Sequence, residues 1–180
     1  AEPFVFMLKS AGIAEQTQPR KYLRVVKTVR VEEGDKYAEL SPANNDFSLH
    51  LSIDFEHPVI KRTSQEIDYC LSTGSYSKEV CRARTFGFYK DLEMLKANQL
   101  ALGASLDNAV GIDDEGIMNP EGLRYPDEFI RHKLLDAIGD LYTTGPIIGK
   151  FTAHKTGHAL TNKLLIELFK KPKNYEWVTH

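Results

Sequence analysis

Apolar and polar residues alternate without a break along Phe47-Ser48-Leu49-His50-Leu51-Ser52-Ile53-Asp54-Phe55, the period of two that marks a half-buried strand, and His57-Pro58 ends it. The stretch 22–31, Tyr22-Leu23-Arg24-Val25-Val26-Lys27-Thr28-Val29-Arg30-Val31, is rich in β-branched residues and predicts another strand. Glu33-Gly34-Asp35 turns the chain, so that 36–40 can pair back as a hairpin. Residues 66–71, 108–112 and 147–153 predict further strands, and the C-terminal 177–180 is strand-like. Apolar residues recur at helical spacing elsewhere. Short helices are expected over 3–13, from Ser77 to about Arg84, and over 91–98. A long helix should begin at Pro126 and end near Tyr142. The last should run from Gly157 to about Lys170, stopped by Pro172. Strands precede helices in the first half and alternate with them later, which predicts an α+β fold: a mixed sheet with helices packed on one face.

Composition narrows the functional classes. The chain has 180 residues, 42 % hydrophobic and 27 % charged, enough for a core under a solvated surface. A net charge of −2 offers no electrostatic case for nucleic acid or an anionic membrane. No apolar run approaches the roughly 20 residues that span a bilayer, so no membrane span is expected. Cys70 and Cys81 form no CxxC, which argues against a disulfide framework or a cysteine zinc knuckle. The apolar start at Ala1 and the strand-like end at His180 are read as those of an excised domain; a signal-peptidase product is the alternative for the Ala1 start.

The candidate chemistry lies on the long helix. In Arg131-His132-Lys133-Leu134-Leu135-Asp136-Ala137-Ile138-Gly139-Asp140, His132, Asp136 and Asp140 recur every four residues and project from one face. An imidazole and a carboxylate one turn apart can grip one cation. His158 follows eighteen residues after Asp140. The ordinary alternative is an amphipathic helix with Ile130, Leu134, Leu135, Ile138 and Leu141 inward and its charges in water. A zinc site normally takes about three protein ligands, and the helix supplies two, with no HExxH elsewhere.

Several segments together decide between these. Arg82-Ala83-Arg84-Thr85-Phe86-Gly87-Phe88, Asp127-Glu128-Phe129, the run 132–141 and Gly157-His158-Ala159-Leu160 occur in the order and at the separations of one family. With Pro3-Phe4-Val5-Phe6, Ser10-Ala11-Gly12-Ile13 and Ile53-Asp54-Phe55-Glu56-His57-Pro58, the chain resembles the C-terminal portion of the UDP-3-O-acyl-N-acetylglucosamine deacetylase (LpxC) family of lipid A biosynthesis. That family is a cytoplasmic zinc amidase of two similar α+β domains. The resemblance implies that 1–17 ends the first domain and its linker. Residues 18–180 would then be the second domain, with an inserted β-α-β unit at about 86–115.

It also implies roles. His132 and Asp136 would be zinc ligands, with ferrous iron as the other candidate metal. The third ligand and the general base, a glutamate–histidine pair, would come from the N-terminal domain. His158 would be the general acid, Asp140 its carboxylate partner and Thr85 an oxyanion donor. Lys133 would be catalytic and would contact the UDP-linked acylated amino-sugar substrate. Asp54, Phe55 and Lys36 would bind that substrate, with Asp54 and Phe55 at its uridine. Phe86, Leu92, Ala101, Ser105 and Ala109 would line a passage for the acyl chain, wider where Gly111 replaces a larger apolar residue. The isolated chain is expected to be inactive, and to hold zinc weakly or through a borrowed donor such as His180. The alternative is a non-catalytic module that binds a ligand or partner.

Overall fold

The computed structural model describes residues 1–99 and 101–179. In chain order the elements are α1 (Glu2–Ala11), β1 (Lys21–Val25), β2 (Val29–Glu33), β3 (Lys36–Ser41), β4 (Phe47–Ser52), α2 (Pro58–Lys61), β5 (Glu66–Cys70) and α3 (Tyr76–Glu79). They continue with β6 (Thr85–Phe88), α4 (Leu92–Ala97), β7 (Ala109–Ile112), α5 (Glu128–Tyr142), β8 (Ile147–His154), α6 (His158–Phe169) and β9 (Tyr175–Thr179).

The organising strand is β8. Its first residues pair in parallel with β1, and from Gly149 onward it runs parallel to β4 and antiparallel to β3. β5 extends the sheet beyond β4, β2 beyond β3, and β9 beyond β1. The mixed sheet and its helices are the α+β architecture the sequence pattern predicts. The period-two pattern of β4 is realised directly: Phe47, Leu49 and Leu51 are buried, while Ser48, His50 and Ser52 face outward. Helix α6 packs on β2 and β3, α5 on β4 and β5, and the two helices lie against each other. Phe129, Ile130, Leu134 and Leu141 of α5, Leu164 and Leu168 of α6, and Phe151 and Leu40 of the sheet form the fully enclosed core.

Several boundaries differ from the sequence pattern. The stretch 22–31 is two strands. Val26 and Lys27 leave the ladder to donate their N–H groups to the Asn174 carbonyl, so β1 pairs with β8 and β9 while β2 turns away to β3. The strand from Phe47 stops at Ser52, where the Ile53 N–H turns to the Gln65 carbonyl. The expected helix from Ser77 is the single turn Tyr76–Glu79; Val80 unwinds and the chain turns at Ala83. Helix α5 begins at Glu128 rather than Pro126, with Asp127 before it in a non-helical conformation. Its inward stripe is also shifted: Phe129 and Ala137 join the buried set, while Leu135 and Ile138 are only partly covered.

The segment after β6 is the β-α-β unit. β6 and β7 pair in parallel with Thr85 opposite Ala109, Phe86 opposite Val110, Gly87 opposite Gly111 and Phe88 opposite Ile112, and α4 lies in the connection. Helix α1 buries none of its residues, and Phe4, Phe6 and Leu8 are about 70 % exposed. Among the described residues no helix is long and apolar enough to cross a membrane.

Candidate active site

Helix α5 carries two pairs along one face. At the first, His132 Nε2 stands 3.5 Å from Asp136 Oδ2, both side chains more than four-fifths buried. At the second, one turn further on, Asp140 accepts from His158 Nδ1 at 2.8 and 3.0 Å. His158 reaches it because β8 and the short turn after it deliver Gly157 in extended conformation, so that α6 starts beside the last turn of α5. The His158 side chain is 70 % exposed, which leaves its Nε2 edge open to an incoming group.

Burial pushes the His132 ring below the ordinary histidine value of 6.5, ahead of the opposing pull of the Asp136 carboxylate. The ring is therefore neutral near pH 7, the state in which a ring nitrogen can hold a metal. Its Nδ1 is buried without a hydrogen bond of normal geometry, though the Ala83 carbonyl lies near enough to favour a proton there. A backbone carbonyl behind a ligating imidazole is the usual way such a ring is oriented. The separation of 3.5 Å also matches two donors each about 2.1 Å from a shared tetrahedral ion. The pair therefore fits part of a metal site. Among the described residues no cluster of three or more His, Cys, Asp or Glu side chains completes it. His180 lies outside the described residues. Asp136 is instead neutralised by Lys133 Nζ at 3.2 Å.

Of the remaining expected residues, the aromatic ones come directly to this face. Phe86 is the hub: its ring meets Phe129 edge-on at 5.0 Å, Phe55 at 5.4 Å and His132 at 6.3 Å. Phe55 is thereby placed beside the helix that holds His132. Asp54 projects next to it and accepts from Lys155 Nζ at 3.3 Å. Lys36 opens β3 at the tip of the β2–β3 hairpin, where Gly34 takes a positive φ of 62°. Its neighbour Asp35 binds the same Lys155 at 2.5 Å, so the hairpin tip and Asp54 are tied together. Thr85 is exposed at the start of β6, and its hydroxyl makes no hydrogen bond among the described residues.

Thr85 also belongs to the rim of a cavity of about 390 Å³ between α4 and the β6–β7 pair. Phe86, Leu92, Ala101, Ser105 and Ala109, the five residues expected along the acyl passage, all line it, and so does Gly111. A larger cleft of about 520 Å³ lies away from these residues, between the end of α5 and the starts of β4 and β8, and contains none of them.

Two features were not singled out from the sequence. One is Lys155, which carries a positive φ of 52° although it is not glycine. Such a backbone is uncommon and tends to mark a constrained site. The other is a buried ion pair beneath Thr85. Glu128 is fully enclosed and accepts from Arg84 Nε at 3.0 Å, the Arg84 N–H at 2.9 Å and the Arg124 N–H at 2.6 Å. Arg84 also donates to Glu121 and to the Gly122 carbonyl. This network joins the first residue of α5 to the residue before Thr85, and so fixes the cavity rim relative to the helix that carries His132. A Glu directly after Asp127 reads as an ordinary first-turn acid, so only the run of five polar partners reveals it.

A profile of the family described as UDP-3-O-acyl N-acetylglycosamine deacetylase, LpxC, matches residues 1–170. The chain is 53 % identical over 180 residues to the UDP-3-O-acyl-N-acetylglucosamine deacetylase of Shewanella sp. (strain W3-18-1), covering 99 % of this chain and 58 % of the relative. It is 52 % identical to the protein of the same name from Tolumonas auensis, covering 99 % of the chain and 59 % of the relative. The Shewanella oneidensis protein gives 53 % and 58 %. The chain thus spans a little under three-fifths of the length of these curated relatives. With a profile matched over most of its length and identities above one half, the chain belongs to the UDP-3-O-acyl-N-acetylglucosamine deacetylase family.

Proposed function

We propose that this chain supplies one wall of the active site of a cytoplasmic, metal-dependent amidase that deacetylates a UDP-linked acylated glucosamine in lipid A biosynthesis. The observation that carries the reading is the pair of couples on α5, His132 with Asp136 and Asp140 with His158, set beside an apolar cavity.

His132 and Asp136 would hold zinc or ferrous iron together with a donor from the preceding N-terminal domain of the family's fold. When bound, the metal supplies Lewis-acid polarisation of the amide carbonyl and a more acidic water. The carboxylate base that takes the proton from water belongs to that preceding domain as well. This chain's own groups serve the later part of the reaction. Asp140 holds His158 by Nδ1 and turns Nε2 outward, where it gives a proton to the departing amine. The Thr85 hydroxyl donates to the oxygen that gains charge as the carbonyl becomes tetrahedral. Lys133 is within reach of Asp136 and releases it to bind sugar or phosphate oxygens. Asp54 and Phe55 take the uridine by hydrogen bonding and ring contact. Lys36, on the hairpin tip tied to Asp54 through Asp35 and Lys155, faces the diphosphate side. The cavity takes the acyl chain.

The test is complementation. The remaining two-fifths of a relative's length is supplied in trans, and acetate release from the UDP-linked acylated amino sugar is followed with and without added zinc. Metal-dependent release is the expected result. Substrate binding without hydrolysis under the same conditions would instead make the chain a binding module.

A further inference from the structure

The cavity has a floor with an unusual composition. In β6 and β7, the residues Phe86, Phe88, Val110 and Ile112 belong to the packed side: Val110 and Ile112 are fully buried, and Phe86 meets Phe129. By strand alternation the other side carries Thr85, Gly87, Ala109 and Gly111. The parallel register sets these four as two rungs, Thr85 opposite Ala109 and Gly87 opposite Gly111, and all four line the cavity. Leu92 and Leu95 of α4 line it as well. Phe86, Phe88 and Val110 of the same strands border the cavity as well, but at the two rungs opposite the α4 leucines no side chain is larger than threonine, which leaves a flat slot there.

The two glycines differ in what a side chain would meet. A Cβ at Gly87 finds nothing within 4 Å, and so would stand in the open slot. A Cβ at Gly111 would come within 2.8 Å of Leu106 Cδ2 and 3.2 Å of Met118 Sδ, both of which line the cavity. The backbone there is clamped. Asn119, only 4 % exposed, accepts from the Gly111 N–H at 2.9 Å and donates to the Leu106 carbonyl at 2.8 Å and the Ala109 carbonyl at 2.9 Å. The wall can therefore answer a larger residue only by moving the Leu106 and Met118 side chains. Neither glycine has a positive φ, so backbone conformation does not require glycine at either place.

We propose that the Gly87–Gly111 rung is the gauge of this slot: it selects unbranched hydrocarbon chains, with Gly87 setting the clearance and Gly111 the position of the Leu106 wall. The inference deepens the acyl-chain reading of the cavity and rests on it. A straight methylene chain can lie flat over two glycines, whereas a branched or cyclic one needs height that the α4 leucines deny. Two small residues facing each other in a strand pair otherwise weaken the pair and add no packing.

The experiment uses the full 180-residue chain and displacement of the fluorescent apolar probe anilinonaphthalene sulfonate. Competitors are straight-chain saturated fatty acids and methyl-branched or adamantyl carboxylic acids of similar carbon number. The unaltered chain should bind the straight acids at least about tenfold more tightly than the branched ones, a difference of about 1.4 kcal/mol. Gly87→Val should lower straight-chain affinity by about tenfold or more while leaving the unfolding midpoint unchanged or raised, because valine suits a strand and meets no neighbour. Gly111→Ala should shift the preference toward shorter chains with a smaller loss. Unchanged straight-chain affinity in a folded Gly87→Val protein would overturn the gauge while leaving the acyl reading intact. If the unaltered chain bound none of the acids, the acyl reading would fall and the gauge with it.

Discussion

His132 shows most directly how a single residue's surroundings choose its chemistry. Burial lowers the affinity of its ring for a proton, and the Asp136 carboxylate only partly restores it. The sign of the consequence is fixed. The unfolded ring titrates near 6.5 and the folded ring lower, so between those values the unfolded chain holds the extra proton. Stability from this residue is complete above about pH 6.5 and declines as the pH falls through that range. In chelator-treated protein, the thermal unfolding midpoint of the unaltered chain should fall more between about pH 7.5 and about pH 5.5 than that of His132→Gln, which has nothing to protonate. Equal declines would show that the ring is not desolvated in solution. At this scale much was legible in the sequence. The four-residue spacing of His132, Asp136 and Asp140 required them to share a face, and His158 does meet Asp140. Lys155 was not legible, because its significance lies in a left-handed backbone and in two carboxylates brought from the β2–β3 turn and the loop after β4.

At the scale of elements, the Arg84–Glu128 pair decides how β6 and α5 are joined. Both side chains are almost wholly enclosed, and Glu128 satisfies two backbone N–H donors, those of Arg84 and Arg124, besides its ion pair. Removing one partner from such a pair leaves a buried charge without compensation, at a cost of roughly 3–5 kcal/mol. Glu128→Ala should lose about that much in urea denaturation, and Glu128→Gln, which keeps its volume and part of its hydrogen bonding, clearly less. A loss below about 1 kcal/mol for the alanine variant would mean that Arg84 finds water or another acceptor. Binary patterning could not reveal this pair, since a charge at the start of a helix is expected to face solvent. The split of 22–31 into β1 and β2 was hidden for a related reason. Unbroken β-branched sequence satisfies one strand or two, and the decision is made by the Asn174 carbonyl, 148 residues after Val26. By contrast, β4, β8, α5 and α6 were legible because each buries one face against the core, and that period is written in the chain.

At the scale of the whole molecule, α1 stands out. It offers Phe4, Phe6 and Leu8 to solvent, and among the described residues its side chains reach the body through Lys9 to Ser77 and Glu2 to Arg82. An apolar helix face of this kind favours association. Sedimentation should show self-association of the 180-residue chain at high concentration, and a Phe4→Glu, Phe6→Glu double variant should sediment as a monomer; a monomeric unaltered chain would contradict this. The central proposal is a division of labour along α5, in which His132 and Asp136 would hold the metal while Asp140 and His158 would move a proton. It is tested most directly in the complemented protein by measuring bound zinc and kcat together for His132→Ala, Asp136→Ala and His158→Ala. The first two should lose zinc and activity in parallel. His158→Ala should keep its zinc and lose roughly 10²- to 10⁴-fold in kcat, the range for removing a general acid. If His158→Ala instead lost its zinc while kcat per bound zinc stayed intact, His158 would be a ligand and the division would be wrong.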